Sequence, residues 1–253
     1  MRFLILTLYF ISFLHATPAL ANRHTNDNSQ IADEFDQEFQ AKEKNNDFDP
    51  FSGYNRVMTN FNDFFFINIL DPASKGYKTI IPKPARNGID NFFNNLLFPI
   101  RLVNNLLQLK FANSFEETQR FLLNSTIGIV GLNDIARDRF NLKAHNEDFG
   151  QTLGFYGIGG GIHIVWPILG QSNLRDTAGL VADAIINPLT YMSNRGYNVF
   201  DNMAQSYEGK ALDIVNYNSF HVGEYEKLKK DAIDLYPFLK NIYEQRRKKL
   251  IEE

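Results

Sequence analysis

The 253-residue sequence has no cysteine and one tryptophan, Trp166. Without cysteine there are no disulfides, thiolate nucleophiles, Cys-ligated zinc ions or iron–sulfur clusters within these residues. The thiol that could carry an N-terminal lipid is missing as well. Basic residues show no excess: 26 Lys+Arg stand against 29 Asp+Glu, for a formal net charge of -3. Nucleic-acid partners are therefore not expected, because neutralising phosphates takes clustered cations. Beyond residue 21 no run of 18 uninterrupted apolar residues occurs, so no simple helix is expected to span a membrane.

Catalytic signatures are equally scarce. After residue 21 the histidines are His24, His145, His163 and His221. None forms H-E-x-x-H or any other helical metal-ligand pair. His163 lies among apolar residues and reads as a structural histidine. Gly170-Gln171-Ser172-Asn173-Leu174 lacks the closing glycine of a nucleophile elbow. Gly157–Ile162 resembles a dinucleotide loop, but Ile162 fills its last position and no strand–helix–strand frame surrounds it. Glu147-Asp148 and Asp134 with Asp138 are acidic pairs, most simply exposed caps. The reading is a non-enzyme, with no catalytic residue, no metal and no cofactor.

What is present is apolar and aromatic. Hydrophobic residues make up 44% and charged residues 22%, enough to bury the core of one domain or two small ones. There are 23 Phe and 11 Tyr. They can form a core or a lipid-facing surface, and composition does not separate the two. Residues 1–21 read as a secretory signal peptide: Arg2 opens it, Phe3–Leu14 is apolar, and Ala19-Leu20-Ala21 is a cleavage signature. A bacterial periplasmic destination follows. Residues 22–47 are polar, without a clear period, and read as a flexible lead.

A helical domain is expected over 48–220, followed by a charged C-terminal helix over 221–253. Asp49-Pro50 is expected to open the first helix, with Asp49 as its cap. Val57, Met58, Phe61, Phe64, Phe65, Ile67 and Leu70 follow at helical spacing. Asp71-Pro72 ends or restarts that element. Pro99 divides Asn87–Lys110 into two apolar helical halves. Ser114 and Glu117 have the spacing of a capping box. Asn133–Phe140 suits a short helix, Ile162–Trp166 one short strand, and Leu174–Tyr191 another helix. The basic end Arg246-Arg247-Lys248-Lys249 reads as a solvated face or a contact with anionic headgroups.

Seven ordered blocks resemble one family. Asp49-Pro50-Phe51-Ser52-Gly53-Tyr54-Asn55-Arg56 resembles the D-P-x-E-x-x-N-R signature of the MlaA/VacJ family. Pro82–Leu96 is similar to its P-x-P-x-R-x-G-x-x-N-F-x-x-N-L block, and Asn104–Gln108 to N-x-L-L-Q. Arg120–Thr126 and Gly128–Asp134 resemble R-F-x-x-N-(S/T) and G-x-x-G-x-x-D. Glu147–Gly154 is nearly identical to the family's block, and Pro167–Gly170 with Leu174-Arg175-Asp176 completes the set.

The resemblance implies a mainly α, ring-shaped, monotopic domain in the inner leaflet of the bacterial outer membrane, with a central amphipathic channel. It implies passage of mislocalised outer-leaflet phospholipids to a periplasmic lipid-binding carrier protein, with docking on a trimeric porin. Members are typically lipidated on an N-terminal cysteine, which this sequence lacks, so retention falls to apolar surface or a partner. Expected channel residues are Phe92, Phe93 and Leu96 on the apolar side, Gly154, Gly157 and Gly159 at the loop, and Arg175, Asp176, Asp183 and Arg195 on the polar side. Charge reversal at Asp176 and Asp183 is expected to impair lipid clearance without lowering protein level. The competing reading is a structural outer-membrane adaptor that organises porins or surface proteins.

Overall fold

The computed structural model describes residues 49–192, 196–230 and 232–253. The expected signal peptide over 1–21, the expected lead over 22–47 and Arg195 lie outside the described residues. The described chain is mainly helical. Helix α1 (Ser52–Phe65) continues through a π-helical turn (Phe66–Leu70) into α2 (Asp71–Ile80). Asp71-Pro72 thus restarts the element without ending it, at the junction of the π-helical turn and α2. Asp49 does not cap α1 with its side chain as expected. Its carboxylate instead accepts from the Tyr236 hydroxyl near the far end of the chain.

Helices α3 (Lys83–Leu96) and α4 (Phe98–Leu107) flank the break expected at Pro99, which sits in the first turn of α4. Helix α5 (Phe111–Thr126) begins three residues before the expected capping box. Ser114 is therefore interior and bonds back to the Lys110 carbonyl at 3.0 Å. Glu117 reaches Arg101 on α4 at 2.5 Å, and both are buried. The capping-box spacing was used for a buried ion pair.

Helices α6 (Ile135–Phe140) and α7 (Phe149–Phe155) are capped by Asp134 and Asp148, which accept from Arg137 N and Gln151 N. Both caps are buried, against the expectation of exposed carboxylates. Strands β1 (His163–Trp166) and β2 (Gly170–Asn173) form an antiparallel hairpin, with His163 opposite Asn173 and Trp166 opposite Gly170. The sequence signals only β1. Gly170-Gln171-Ser172-Asn173 has no β-branched or aromatic residue, so pairing alone makes β2 a strand. Asn55 and Asn62 of α1 stitch the hairpin to that helix. Asn55 donates to His163 O at 3.0 Å and accepts from Val165 N at 2.8 Å; Asn62 donates to Trp166 O and accepts from Ile168 N.

Helix α8 (Leu174–Ile186) is capped by Asn173, whose side chain accepts from Asp176 N. Helices α9 (Met203–Asn218), α10 (Glu224–Lys230) and α11 (Leu235–Glu252) complete the fold. Helix α9 has no counterpart in the sequence reading. Its buried residues are Ser206, Gly209, Asp213, Asn216, Tyr217 and Asn218, so it lacks the apolar inward stripe that signals a helix. Buried apolar residues gather in two small clusters. One holds Phe66, Leu70 and Tyr217; the other holds Phe93, Leu97, Ile100 and Leu189.

Candidate functional site

Four helices turn their polar faces inward and their apolar faces outward. On α1, Asn55, Thr59 and Asn62 are buried while Val57, Phe61 and Phe64 are exposed. On α5, Ser114, Glu117 and Asn124 are buried while Phe111, Phe115 and Leu122 are exposed. Helix α4 buries Arg101, Asn104 and Asn105 and exposes Leu106 and Leu107; α8 buries Asp176 and Asp183 and exposes Val181 and Ile185. Among the described residues, buried polar groups outnumber buried apolar ones roughly threefold. Water-soluble monomers do the reverse and rarely leave large apolar patches uncovered. Among the described residues no helix is long and apolar enough to cross a membrane. Helices of this kind suit a position in one leaflet, where lipid covers the outward face.

The inward face is organised around Asp148, Asp176 and Arg247. Arg247 is 2% exposed and Asp176 1%. The Arg247 guanidinium grips Asp148 with two bonds, at 2.8 and 2.9 Å, and gives a third to Asp176 at 2.8 Å. Asp176 also accepts from Arg175 Nε, Asn173 Nδ2 and the Tyr243 hydroxyl. Burial alone would lower the Arg247 pKa; the Asp148 and Asp176 charges outweigh it and hold the guanidinium protonated. Burial, then the Asp176 charge, pushes the Tyr243 phenol well up, so it stays a donor. Close helix approach makes this geometry possible: a Cβ on Gly179 of α8 would meet Gly150 N of α7 at 2.4 Å.

A second layer surrounds this hub. Glu147 accepts from Gln108 at 2.9 Å, Gln151 at 2.7 Å and Lys110 at 2.8 Å. Asp183 accepts from Asn104 at 2.8 Å and from Phe149 N at 3.0 Å. Each carboxylate thus finds several donors, as buried charge requires. No group of three or more His, Asp or Glu side chains suited to a metal occurs among the described residues.

The structure brings some of the expected channel residues together and separates others. Gly154, Gly157, Gly159 and Arg175 line one cleft of about 440 Å³ between the glycine loop and α11. Gly157 has φ +81°, which favours glycine. Arg175 Nη1 reaches Ile158 O at 3.3 Å. Phe93 lies in the second apolar cluster, with Phe92 and Leu96 packed against it. Asp176 and Asp183 are network members, not an open polar wall. Charge reversal at either would strand buried donors, so loss of folded protein is expected in place of a selective transport defect.

The basic end of α11 is also corrected. Lys248 and Lys249 face solvent, but Arg247 is the centre of the buried hub. No sequence signal separates it from its neighbours, apart from its i, i+4 relation to Tyr243. His163 is buried, bonds Gln171 at 2.7 Å, and is held neutral by burial.

One buried carboxyl works against the fold. Asp213 on α9 is buried and its Oδ2 has no hydrogen-bond partner. Burial, then the Asp90 charge, pushes its pKa from 3.8 to about 7. Between those values the folded protein keeps a proton that the unfolded chain releases, so stability falls as pH rises through this window and stays lower above it. Asp213→Asn should therefore stabilise the protein at pH 8 by a few kcal/mol, at roughly 1.4 kcal/mol per pH unit, and have little effect at pH 4. Thermal melts at the two pH values check this; equal shifts at both would refute it.

The profile of a family described as MlaA lipoprotein matches residues 47–250. An uncharacterised protein of Rickettsia prowazekii (strain Madrid E) is 34% identical over 154 residues, covering 60% of this chain and 61% of that protein. The intermembrane phospholipid transport system lipoprotein MlaA of Escherichia coli (strain K12) is 37% identical over 153 residues, covering 57% of this chain and 59% of that protein. The aligned stretch thus spans about three fifths of these relatives. A solved structure reported as "Structural basis for maintenance of bacterial outer membrane lipid asymmetry" superposes with a TM-score of 0.66 at 30% identity. It covers 80% of this chain and 98% of that one.

Proposed function

The chain belongs to the MlaA lipoprotein family, and from that premise we propose that it removes mislocalised phospholipids from the outer leaflet of the bacterial outer membrane. The lipids would pass through a ring-shaped domain with an amphipathic channel to a periplasmic lipid-binding carrier protein. A trimeric porin is the proposed dock. The protein moves lipid without covalent chemistry.

One observation carries this reading: the inverted helices, polar inside and apolar outside. An apolar shell seats the protein in the inner leaflet, and a polar interior suits a path for a charged headgroup. The E. coli relative's place in a phospholipid transport system agrees with it. The outward apolar shell is the proposed means of retention. Gly154, Gly157, Gly159 and Arg175 are the proposed lining nearest the hub.

The test is phospholipid exposed on the surface of intact cells, with the gene deleted and then restored. Deletion should raise surface phospholipid and restoration should lower it. Unchanged surface lipid with disturbed porin assembly would overturn the proposal in favour of an adaptor that organises porins.

A further inference from the structure

A second cleft, of about 480 Å³, opens between α3, α5 and the segment after α6. Its lining carries both charges: Arg120, Arg137 and Lys143 are among its cations and Asp90 and Asp134 are its carboxylates, with the Asn94 amide among them. Arg120 is buried. Its terminal nitrogens go to Asp134 at 2.9 Å and to Leu142 O at 2.6 Å, but its Nε has no hydrogen-bond partner. A buried guanidinium N–H without a partner costs stability unless a ligand accepts from it. Lys143 is exposed and makes none of the ion pairs found among the described residues.

Asp90 sets the other end. Asn94 donates to it at 3.2 Å. Burial pushes its carboxyl up, with His221, the Asn94 bond and Arg137 pulling it down. Asp213 stands close enough for its own titration to respond to the Asp90 charge. Arg120 pairs with Asp134 at 2.9 Å and Arg137 with Asp138 at 2.8 Å, so among the described residues Lys143 is the lining cation, and Asp90 the lining carboxylate, that no ion pair takes up.

A single-charged ligand satisfies only one of these ends. We propose that this cleft is a headgroup subsite for phosphoethanolamine, its phosphate set against Lys143 beside the paired Arg120 and Arg137, and its primary ammonium against Asp90. The inference rests on the phospholipid reading above and adds which headgroup the protein prefers. Guanidinium and ammonium donors suit phosphate oxygens, and a half-buried carboxylate suits an ammonium.

The test titrates the detergent-solubilised full chain with glycerophosphoethanolamine and with glycerol phosphate, which lacks the amine. Calorimetry should show saturable binding of the first, about tenfold tighter than the second, as one partly buried ion pair gives. Asp90→Asn should erase that preference, while Lys143→Gln should weaken both ligands together. Melting curves of each variant show that it is folded, and Asp90→Glu should restore the preference if Asn does not fold. Absence of saturable binding, or an unchanged preference in Asp90→Asn, overturns the proposal. A lipid arm identifies the source: phosphatidylethanolamine in nanodiscs should be held with the same Asp90 dependence, and phosphatidylglycerol without it. Equal handling of both lipids, with surface clearance intact in cells, defeats the headgroup subsite alone and leaves the transport reading standing.

Discussion

Arg247→Met is expected to destabilise the folded protein by about 3–5 kcal/mol, the cost of removing one partner from a buried ion pair. Methionine keeps most of the volume but none of the charge. Asp148 loses a two-bond fork and Asp176 loses its 2.8 Å bond, in a region where neither side chain reaches water freely. A drop in melting temperature on the order of 10 °C follows for a domain of this size. Arg247→Lys should fall between, because an ammonium keeps the charge but cannot form the fork. The loss should also be non-additive: in an Asp148→Asn background Arg247→Met should cost less than it does alone. Thermal melts of the four proteins check this. An unchanged melting point for Arg247→Met, or strict additivity, would show that the hub does not hold α11 to α7 and α8.

The second large effect lies on the opposite surface. Phe64 of α1 is 58% exposed and Phe115 of α5 is 67% exposed, so neither contributes much to packing within the protein. Replacing both with Asp should leave the fold intact and release the protein from the membrane. Each phenylalanine taken out of lipid forfeits about 2–3 kcal/mol. Together they shift partitioning by roughly a thousandfold, before any added cost of bringing carboxylates to the bilayer. Fractionation of cells expressing the double variant should move the protein from the membrane pellet to the soluble fraction. Its melting temperature in detergent should match the parent. Retention in the pellet with an unaltered melt would mean that a partner, not the apolar shell, holds the protein.

These two expectations share a cause that also explains what was readable in the sequence. Helix α5 was legible through its capping-box spacing, and α1, α3, α4 and α8 because their apolar residues recur at helical spacing. That spacing reveals a helix whichever way the stripe points, so the period was right while the direction stayed open. Composition alone left the phenylalanines undecided between core and lipid surface. Phe93 proved to be core and Phe64 shell, and only the packing distinguishes them. Helix α9 was missed because its inward residues are polar and its outward Met203, Tyr207 and Leu212 are too sparse.

The polar interior was half legible. The blocks that carry the family resemblance supply Asn55, Arg86, Arg120, Asp148 and Asp176, and each makes a buried or partly buried polar contact. Their sequence spacing does not say with whom. Glu117 and Ser114 matched a local capping pattern, and the competing long-range partner Arg101 took the glutamate. Arg247 sat in a run of four basic residues that resembled any solvated helix end. Long-range polar pairing leaves no periodicity, and that is why the centre of the site was the least readable part of it.

The inverted arrangement also changes how the protein should answer to heat. Unfolding an ordinary domain wets a large apolar core, and the resulting heat-capacity increment bends the stability curve into a dome. Here the apolar residues of α1, α5 and α8 already face outward, and the groups released from the interior are largely amides, carboxylates and guanidiniums, whose hydration lowers the increment. In a lipid or detergent environment the curve should therefore be shallow, without a pronounced cold limb. Such a protein holds its shape by ion pairing and hydrogen bonding, and is more sensitive to the acidity of its surroundings than to their warmth.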